Sequence, residues 1–289
     1  MTLLVSVVTP TYNRAGELQL LFDSLNKQED VDFEWIIIDD GSTDSTSQKI
    51  ASFKDNNLNI KKIKYVYQSN NGKNSAVIKG IQHTSGEYIV IIDSDDYLLD
   101  EAFMKIKNYL KDEAVINNPE IIGISGVKVD SQMKPVSFTG HTESSIMSHY
   151  DWFYTNRRLG DRIDFYKASI LKEKIFNSFT KEKFITEDAL WLDLKGKKLF
   201  ISEPLLVVKY MDGGLSSSYA SLLRKNPFGT TYYYYILLIN TGSLKIKFKA
   251  SLMMMYYIVL AIVKNSNILI GFFSFVFLPL LCLIKLFRK

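Results

Sequence analysis

The chain holds one cysteine, Cys282, and three histidines among its 289 residues. A lone cysteine inside an apolar run excludes a disulfide framework and predicts a reducing compartment. His83, His141 and His149 do not fall at metal-ligand spacing. No Gly-x-Gly-x-x-Gly follows the first predicted strand and no Walker loop is present, which argues against a dinucleotide-binding dehydrogenase and a P-loop enzyme. Internal repeats and low-complexity tracts are missing, and Met1 leads straight into the predicted strand Leu3–Thr9 with no signal-peptide pattern. The net charge of +4 is too mild to call for a nucleic-acid partner. From Lys245 to the end there is no acid at all, only Lys and Arg among the charged residues.

What is present first is alternation. Apolar runs at 3–9, 33–39, 63–68 and 88–92 predict strands, and the stretches 16–28, 42–53, 73–83 and 99–110 predict helices. Leu18, Leu21, Phe22 and Leu25 show the spacing of one helical face. Strands alternating with helices of this length predict an α/β domain built on a mostly parallel sheet. Beyond Glu120 the pattern loosens. A strand is expected over 121–129 and another over 205–210, with a helix over 184–194. The polar and aromatic stretch to Tyr166 reads as loops over a site.

The strand ends carry the chemistry. Ile89-Val90-Ile91-Ile92 runs directly into Asp93-Ser94-Asp95-Asp96. In open α/β sheets the ligand crevice lies outside the carboxyl ends of the strands, and grouped carboxylates there call for a cation. Asp93-x-Asp95 suits a hard divalent ion that keeps waters and bridges to a diphosphate. The second strand ends in Asp39-Asp40-Gly41-Ser42, and the first in Thr9-Pro10-Thr11-Tyr12-Asn13-Arg14. Asn70-Asn71-Gly72-Lys73 enters a helix N-terminus and forms a plausible anion seat. Asp96 is expected to cap the next helix, and Asp39 to hold its strand tip through backbone hydrogen bonds.

In this order, Val5–Asn13, Ile38-Asp39-Asp40-Gly41-Ser42-Thr43-Asp44, Gly72-Lys73, Gly86-Glu87-Tyr88 and Asp93-Ser94-Asp95-Asp96 resemble the family 2 inverting glycosyltransferases. Thr186-Glu187-Asp188-Ala189 falls where that family carries its catalytic base. The resemblance implies a GT-A nucleotide-diphospho-sugar transferase fold. It also implies that Pro10, Tyr12, Asp40, Lys73 and Asp93 bind the nucleotide sugar, with Asp40 at the base and Asp93 at the ribose. Asp95 is the implied ligand of a Mn²⁺ or Mg²⁺ ion, and Asp188, with Glu187 beside it, the implied base. The helix after the glycine loop reads Ala76-Val77-Ile78 where many relatives have Ala-Arg-Asn. The Gln-x-x-Arg-Trp motif of processive synthases is absent, which favours transfer of a single sugar.

The tail is a different object. Two apolar runs, 250–263 and 268–284, are separated by Lys264-Asn265-Ser266-Asn267. They predict membrane attachment, either as a monotopic hairpin or as a single span, with the basic flanks on the cytoplasmic face. Tyr232–Tyr235 suits an interfacial aromatic belt or core packing equally. The expected organisation is therefore a transferase domain over 1–225, with a nucleotide half at 1–115 and an acceptor half at 116–225, followed by a membrane-associating region at 226–289. The expected reaction moves one sugar from a UDP-sugar to a polyprenyl-linked saccharide in bacterial capsule, O-antigen or exopolysaccharide synthesis. The rivals are a polyprenyl-phosphate glycosyltransferase and a non-catalytic nucleotide-sugar-binding protein.

Overall fold

The computed structural model describes residues 4–136, 144–158, 160–174, 182–209 and 219–266. His141, Cys282 and the second apolar run, 268–284, lie outside the described residues. In chain order the first part contains β1 (Val5–Thr11), α1 (Leu18–Asn26), β2 (Phe33–Asp39), α2 (Thr46–Asp55), β3 (Lys62–Tyr67), α3 (Lys73–Gln82) and β4 (Tyr88–Ile91). There follow β5 (Tyr97–Leu98), α4 (Ala102–Tyr109), α5 (Glu113–Ile116), β6 (Ile121–Val129), β7 (Ser145–Met147), β8 (Arg162–Lys167) and α6 (Ala168–Lys174). The remainder is α7 (Glu187–Asp193), β9 (Lys197–Val207), α8 (Tyr219–Lys225), α9 (Pro227–Asn240) and α10 (Leu244–Ser266).

These strands form one mixed sheet in the order β3-β2-β1-β4-β8-β6-β9-β5, with β7 paired to β9. The segment β3-β2-β1-β4 is parallel throughout. β8 then enters antiparallel against both β4 and β6. β1 and β2 are buried along their whole length. Both faces of a parallel sheet are covered, which is why these strands read as near-continuous apolar runs. On one face Phe22 stacks on Phe53 at 4.3 Å and Trp35 lies 5.6 Å from Phe53, joining α1 and α2 to β2. On the other, α3 comes so close that a Cβ on Gly80 would meet Val8 Cγ1 at 2.3 Å.

The chain divides into two compact units: Met1–Ser178 with Leu194–Tyr210, and Phe179–Asp193 with Met211–Lys289. The first is the sheet with its helices. The described part of the second is helical: α9 packs against α7, α8 and α10. Glu182 accepts hydrogen bonds from the N–H groups of Phe228 (3.1 Å) and Gly229 (2.7 Å) at the start of α9, where a carboxylate complements the helix dipole.

Two local expectations change. The helix predicted over 99–110 begins only at Ala102, because Tyr97 and Leu98 pair antiparallel with Val207 and Leu206 as an edge strand. Asp96 therefore caps no helix; its carboxylate accepts the Lys209 N–H at 3.3 Å. The strand predicted over 205–210 starts as early as Lys197. Lys198 disguised it: this side chain is fully buried, with Nζ 2.7 Å from Asp164 and 3.2 Å from His149 Nδ1. A paired charge is one of the few ways a lysine enters a core strand.

Candidate active site

The parallel order of β2, β1 and β4 brings three strand ends to one rim. The loops after β1 and β2 are tied together. Asn13, in the left-handed region at φ 52, donates its N–H to Ser42 Oγ (2.9 Å) and accepts the Thr43 N–H on Oδ1 (2.8 Å). Asp44 accepts the Thr46 and Ala15 N–H groups, and hydrogen bonds from Thr46 and Ala15 hold its carboxyl below the usual range despite some burial. Tyr12, at the β1 tip, is about half exposed, and Pro10 sits in register with Ile38.

At the β2 end both aspartates are occupied. Asp39 accepts the Ser42 N–H (2.7 Å) and the Tyr65 hydroxyl (2.9 Å), holding the strand tip by a backbone bond as expected. Asp40 is buried and accepts from Gln68 Nε2 (2.7 Å), Asn71 N–H (2.8 Å) and Gly72 N–H (2.8 Å). It thereby clamps the loop that opens α3. That geometry requires glycine twice. Gly72 has φ 91 and Gly41 φ 88, and a Cβ on Gly41 would stand 2.9 Å from the Asn70 nitrogen.

At the β4 end the carboxylates crowd one another. Lys73 Nζ, from the first turn of α3, lies 2.8 Å from the Asp93 carboxylate. Burial alone would raise Asp93, but the charges of Lys73 and Lys128 hold its carboxyl below the ordinary range. Asp95 goes the other way: burial and the neighbouring Asp93 push it up, only partly offset by Arg14 and Lys73. Burial raises Asp96 to about 7, with Lys128 opposing and Asp93 and Asp95 adding to the rise. Lys128, on β6, is paired with Asp161 at the start of β8, and despite burial Asp161, Asp96 and Asp93 hold its ammonium firmly charged.

The structure thus brings Lys73 to Asp93, and Asp93 into the field of Asp95 and Asp96. Gln68, Lys128 and Asp161 are additions that sequence reasoning missed. Lys128 alone left a trace there, as a cation inside a strand otherwise apolar. Glu187 and Asp188 open α7 in the second unit, both half-buried. Burial raises the Tyr219 phenol, and the charge of Asp188 adds to that. Among the described residues no group of three or more His, Cys, Asp or Glu side chains is arranged to hold a metal. The donor chemistry at the β4 tip nonetheless fits a hard cation, since Asp95 carries a carboxylate that its neighbours disfavour and a positive charge would relieve. His83 accepts from Lys64 Nζ at 3.0 Å on Nδ1 at the end of α3, and burial and the nearby lysines lower its pKa.

Known proteins share this architecture. The structure resembles S. aureus TarS 1-349 in complex with UDP-GlcNAc (TM-score 0.58, 18% identity, 91% of this chain and 75% of that one). It also resembles a mannosyltransferase from Pyrobaculum calidifontis in complex with GDP-Man and Mn²⁺ (TM-score 0.55, 16% identity, 99% and 84%). At these identities the likeness shows the fold. In sequence the chain is 30% identical over 200 residues to a GalNAc(5)-diNAcBac-PP-undecaprenol β-1,3-glucosyltransferase of Campylobacter jejuni. That alignment takes in 68% of this chain and 61% of the relative, so the chain spans less than two thirds of that protein's length. The family model described as Glycosyl transferase family 2 matches residues 6–173, more than half of the chain and the run from the second residue of β1 through β8 with its acid-bearing strand ends. The chain belongs to glycosyl transferase family 2.

Proposed function

We propose that this chain is an inverting glycosyltransferase that moves one sugar from a UDP-sugar to a lipid-linked saccharide in the assembly of a bacterial surface polysaccharide. The observation that carries the reading is the contrast at one rim between Asp40, which organises the glycine loop, and the crowded Asp93–Asp96 tip beside Lys73. A nucleoside diphosphate fits this rim: its base and ribose would meet Pro10, Tyr12, Asp40 and Asp93, and Asp95 would hold a divalent cation that offsets the charge of the phosphates. When bound there, Mn²⁺ or Mg²⁺ would neutralise charge growing on the diphosphate leaving group. Lys73 and Arg14 add fixed positive charge on the same side.

Asp188 is the proposed general base, with Glu187 beside it. It takes the proton from the acceptor hydroxyl as that oxygen bonds to the anomeric carbon and the bond to the diphosphate breaks. Attack from the opposite face inverts the configuration without a covalent enzyme intermediate. The name of the C. jejuni relative, an undecaprenol-diphosphate saccharide glucosyltransferase, supports a lipid-linked acceptor. The division into a nucleotide half (1–115), an acceptor half (116–225) and a membrane region (226–289) belongs to this reading, as does placement on the cytoplasmic face. Leu244–Lys264 is long and apolar enough to cross a membrane, which supports attachment.

The test is sugar transfer from UDP-sugars to undecaprenyl-diphosphate saccharides with and without Mn²⁺. Asp188→Asn should lose transfer on the order of 10³-fold while UDP still binds. Full transfer by Asp188→Asn would remove the base from the mechanism. No transfer or hydrolysis with any donor would remove the enzyme reading.

A further inference from the structure

Within the second unit, Tyr219, the first residue of α8, stands beside the acids that open α7. Its hydroxyl donates to Thr186 Oγ1 at 3.0 Å, and its ring meets Phe184 edge to face, with centroids 6.1 Å apart at 82°. Thr186 is buried and immediately precedes Glu187 and Asp188. Asp188 lies near enough for its charge to add to the rise that burial causes in the Tyr219 phenol. Two neighbours thus fix the side chain, one by its ring and one by its hydroxyl. Even so, 43% of Tyr219 stays exposed.

A core tyrosine is not built that way. Burial of the ring is what normally offsets the loss of side-chain freedom, and α8 contributes no buried residue to the unit. Tyr219 gives up its rotamers and its hydrogen bond to water while much of its surface remains in solvent. Such a side chain is preorganised for a ligand, because it offers a broad, rigid contact at low entropic cost on binding. The chemistry of that ligand follows from the two kinds of group that stand together. The face of an aromatic ring carries partial negative charge, which the C–H bonds along one face of a pyranose complement. The hydroxyls of the same sugar can then donate to Glu187 and Asp188, which only accept when ionised.

We infer that Tyr219 is a platform for the acceptor sugar, holding the pyranose by its C–H face so that one hydroxyl reaches Asp188. The inference deepens the function proposed above and rests on its reading of Asp188 as the base. Tyr219 binds and orients; it exchanges no proton, since its phenol is pushed up and engaged with Thr186. The platform favours an acceptor whose terminal sugar presents an unbroken C–H face. The far end of α8 is tied independently to α9, where Thr230 Oγ1 donates to the Leu223 carbonyl at 2.9 Å. Replacing Tyr219 therefore leaves the helix anchored.

The test uses the full chain with UDP and saturation-transfer difference NMR on the methyl β-glycosides of glucose, galactose, N-acetylglucosamine and N-acetylgalactosamine. At least one should bind, with saturation strongest on the C–H protons of one ring face. Tyr219→Ala should weaken that glycoside about tenfold. Tyr219→Phe keeps the ring and gives up the bond to Thr186, and it should restore most of the affinity. UDP affinity by calorimetry should be the same in all three proteins. In sugar transfer, Tyr219→Ala should raise the acceptor KM and leave the KM for the UDP-sugar unmoved. Binding of none of the four glycosides, or saturation spread evenly over both ring faces, would overturn the inference. So would an equal loss in Tyr219→Phe and Tyr219→Ala, which would make the hydroxyl bond the element that matters. A parallel fall in UDP affinity would mark a structural role and overturn it too. Asp188→Asn keeping full transfer would remove the base while leaving glycoside binding as predicted, so the two failures are told apart.

Discussion

The ends of β2 and β4 carry the same residue type at equivalent places in one sheet, yet they are in opposite electrostatic states. Asp39 and Asp40 are satisfied from within the chain: between them they accept from one side-chain amide, one hydroxyl and three backbone N–H groups. Asp93, Asp95 and Asp96 share two lysines, and two of the three carboxyls are pushed above their ordinary range. Position at a strand end makes a carboxylate available. The supply of donors around it decides whether it organises backbone or is left to meet a cation. The first tip is a structural clamp on the nucleotide loop, and the second is a crowded charge cluster.

The comparison can be broken from either side. The largest effect is expected at the β4 tip: Asp95→Ala should lower sugar transfer on the order of 10³-fold, measured as initial rates over a Mn²⁺ titration, and should leave the unfolding free energy unchanged or slightly raised. The β2 tip should respond in stability. Asp40→Ala leaves the buried Gln68 amide and the Asn71 and Gly72 N–H groups without their acceptor, a cost of about 2–3 kcal/mol by denaturant unfolding. If Asp95→Ala destabilised as much as Asp40→Ala, the two tips would not differ as described.

Asp96 sharpens the contrast through pH. Its folded pKa, about 7, lies above the ordinary value of 3.8, so the folded state holds the extra proton between these values. Stability contributed by this group is therefore greatest at low pH and falls as pH rises from about 4 to 7. With EDTA present, Asp96→Asn should be more stable than the parent by up to about 4 kcal/mol at pH 8, and the gain should vanish below pH 4; melting at both pH values measures it. The smallest effect is expected from Lys73→Met. This pair is partly exposed, so its loss should cost about 1 kcal/mol or less in stability, while UDP binding by calorimetry should weaken about tenfold as the Asp93 charge loses its partner.

Much of the sheet was legible because a buried parallel strand advertises itself as an apolar run. The acid-bearing ends were legible because Asp40, Asp93 and Asp95 follow such runs directly. What escaped had a partner far along the chain. Gln68 is unremarkable until folding brings it 2.7 Å from Asp40, and Lys128 until Asp161 and Asp96 surround it. Lys198 made a core strand look polar, since Asp164, His149 and Tyr166 allow it to be buried. Asp96 looked like a helix cap because Asp before an apolar run usually is one; pairing of Tyr97 and Leu98 with β9 overrode that local preference.

The sequence by itself determined the alternation of strands and helices, the places where carboxylates would stand, and the apolar, acid-free character of the tail. Those follow from periodicity and composition, which are local. Only the tertiary structure decided which carboxylates are satisfied and which are crowded. Charge balance and exposure depend on neighbours that the chain brings together only when it folds.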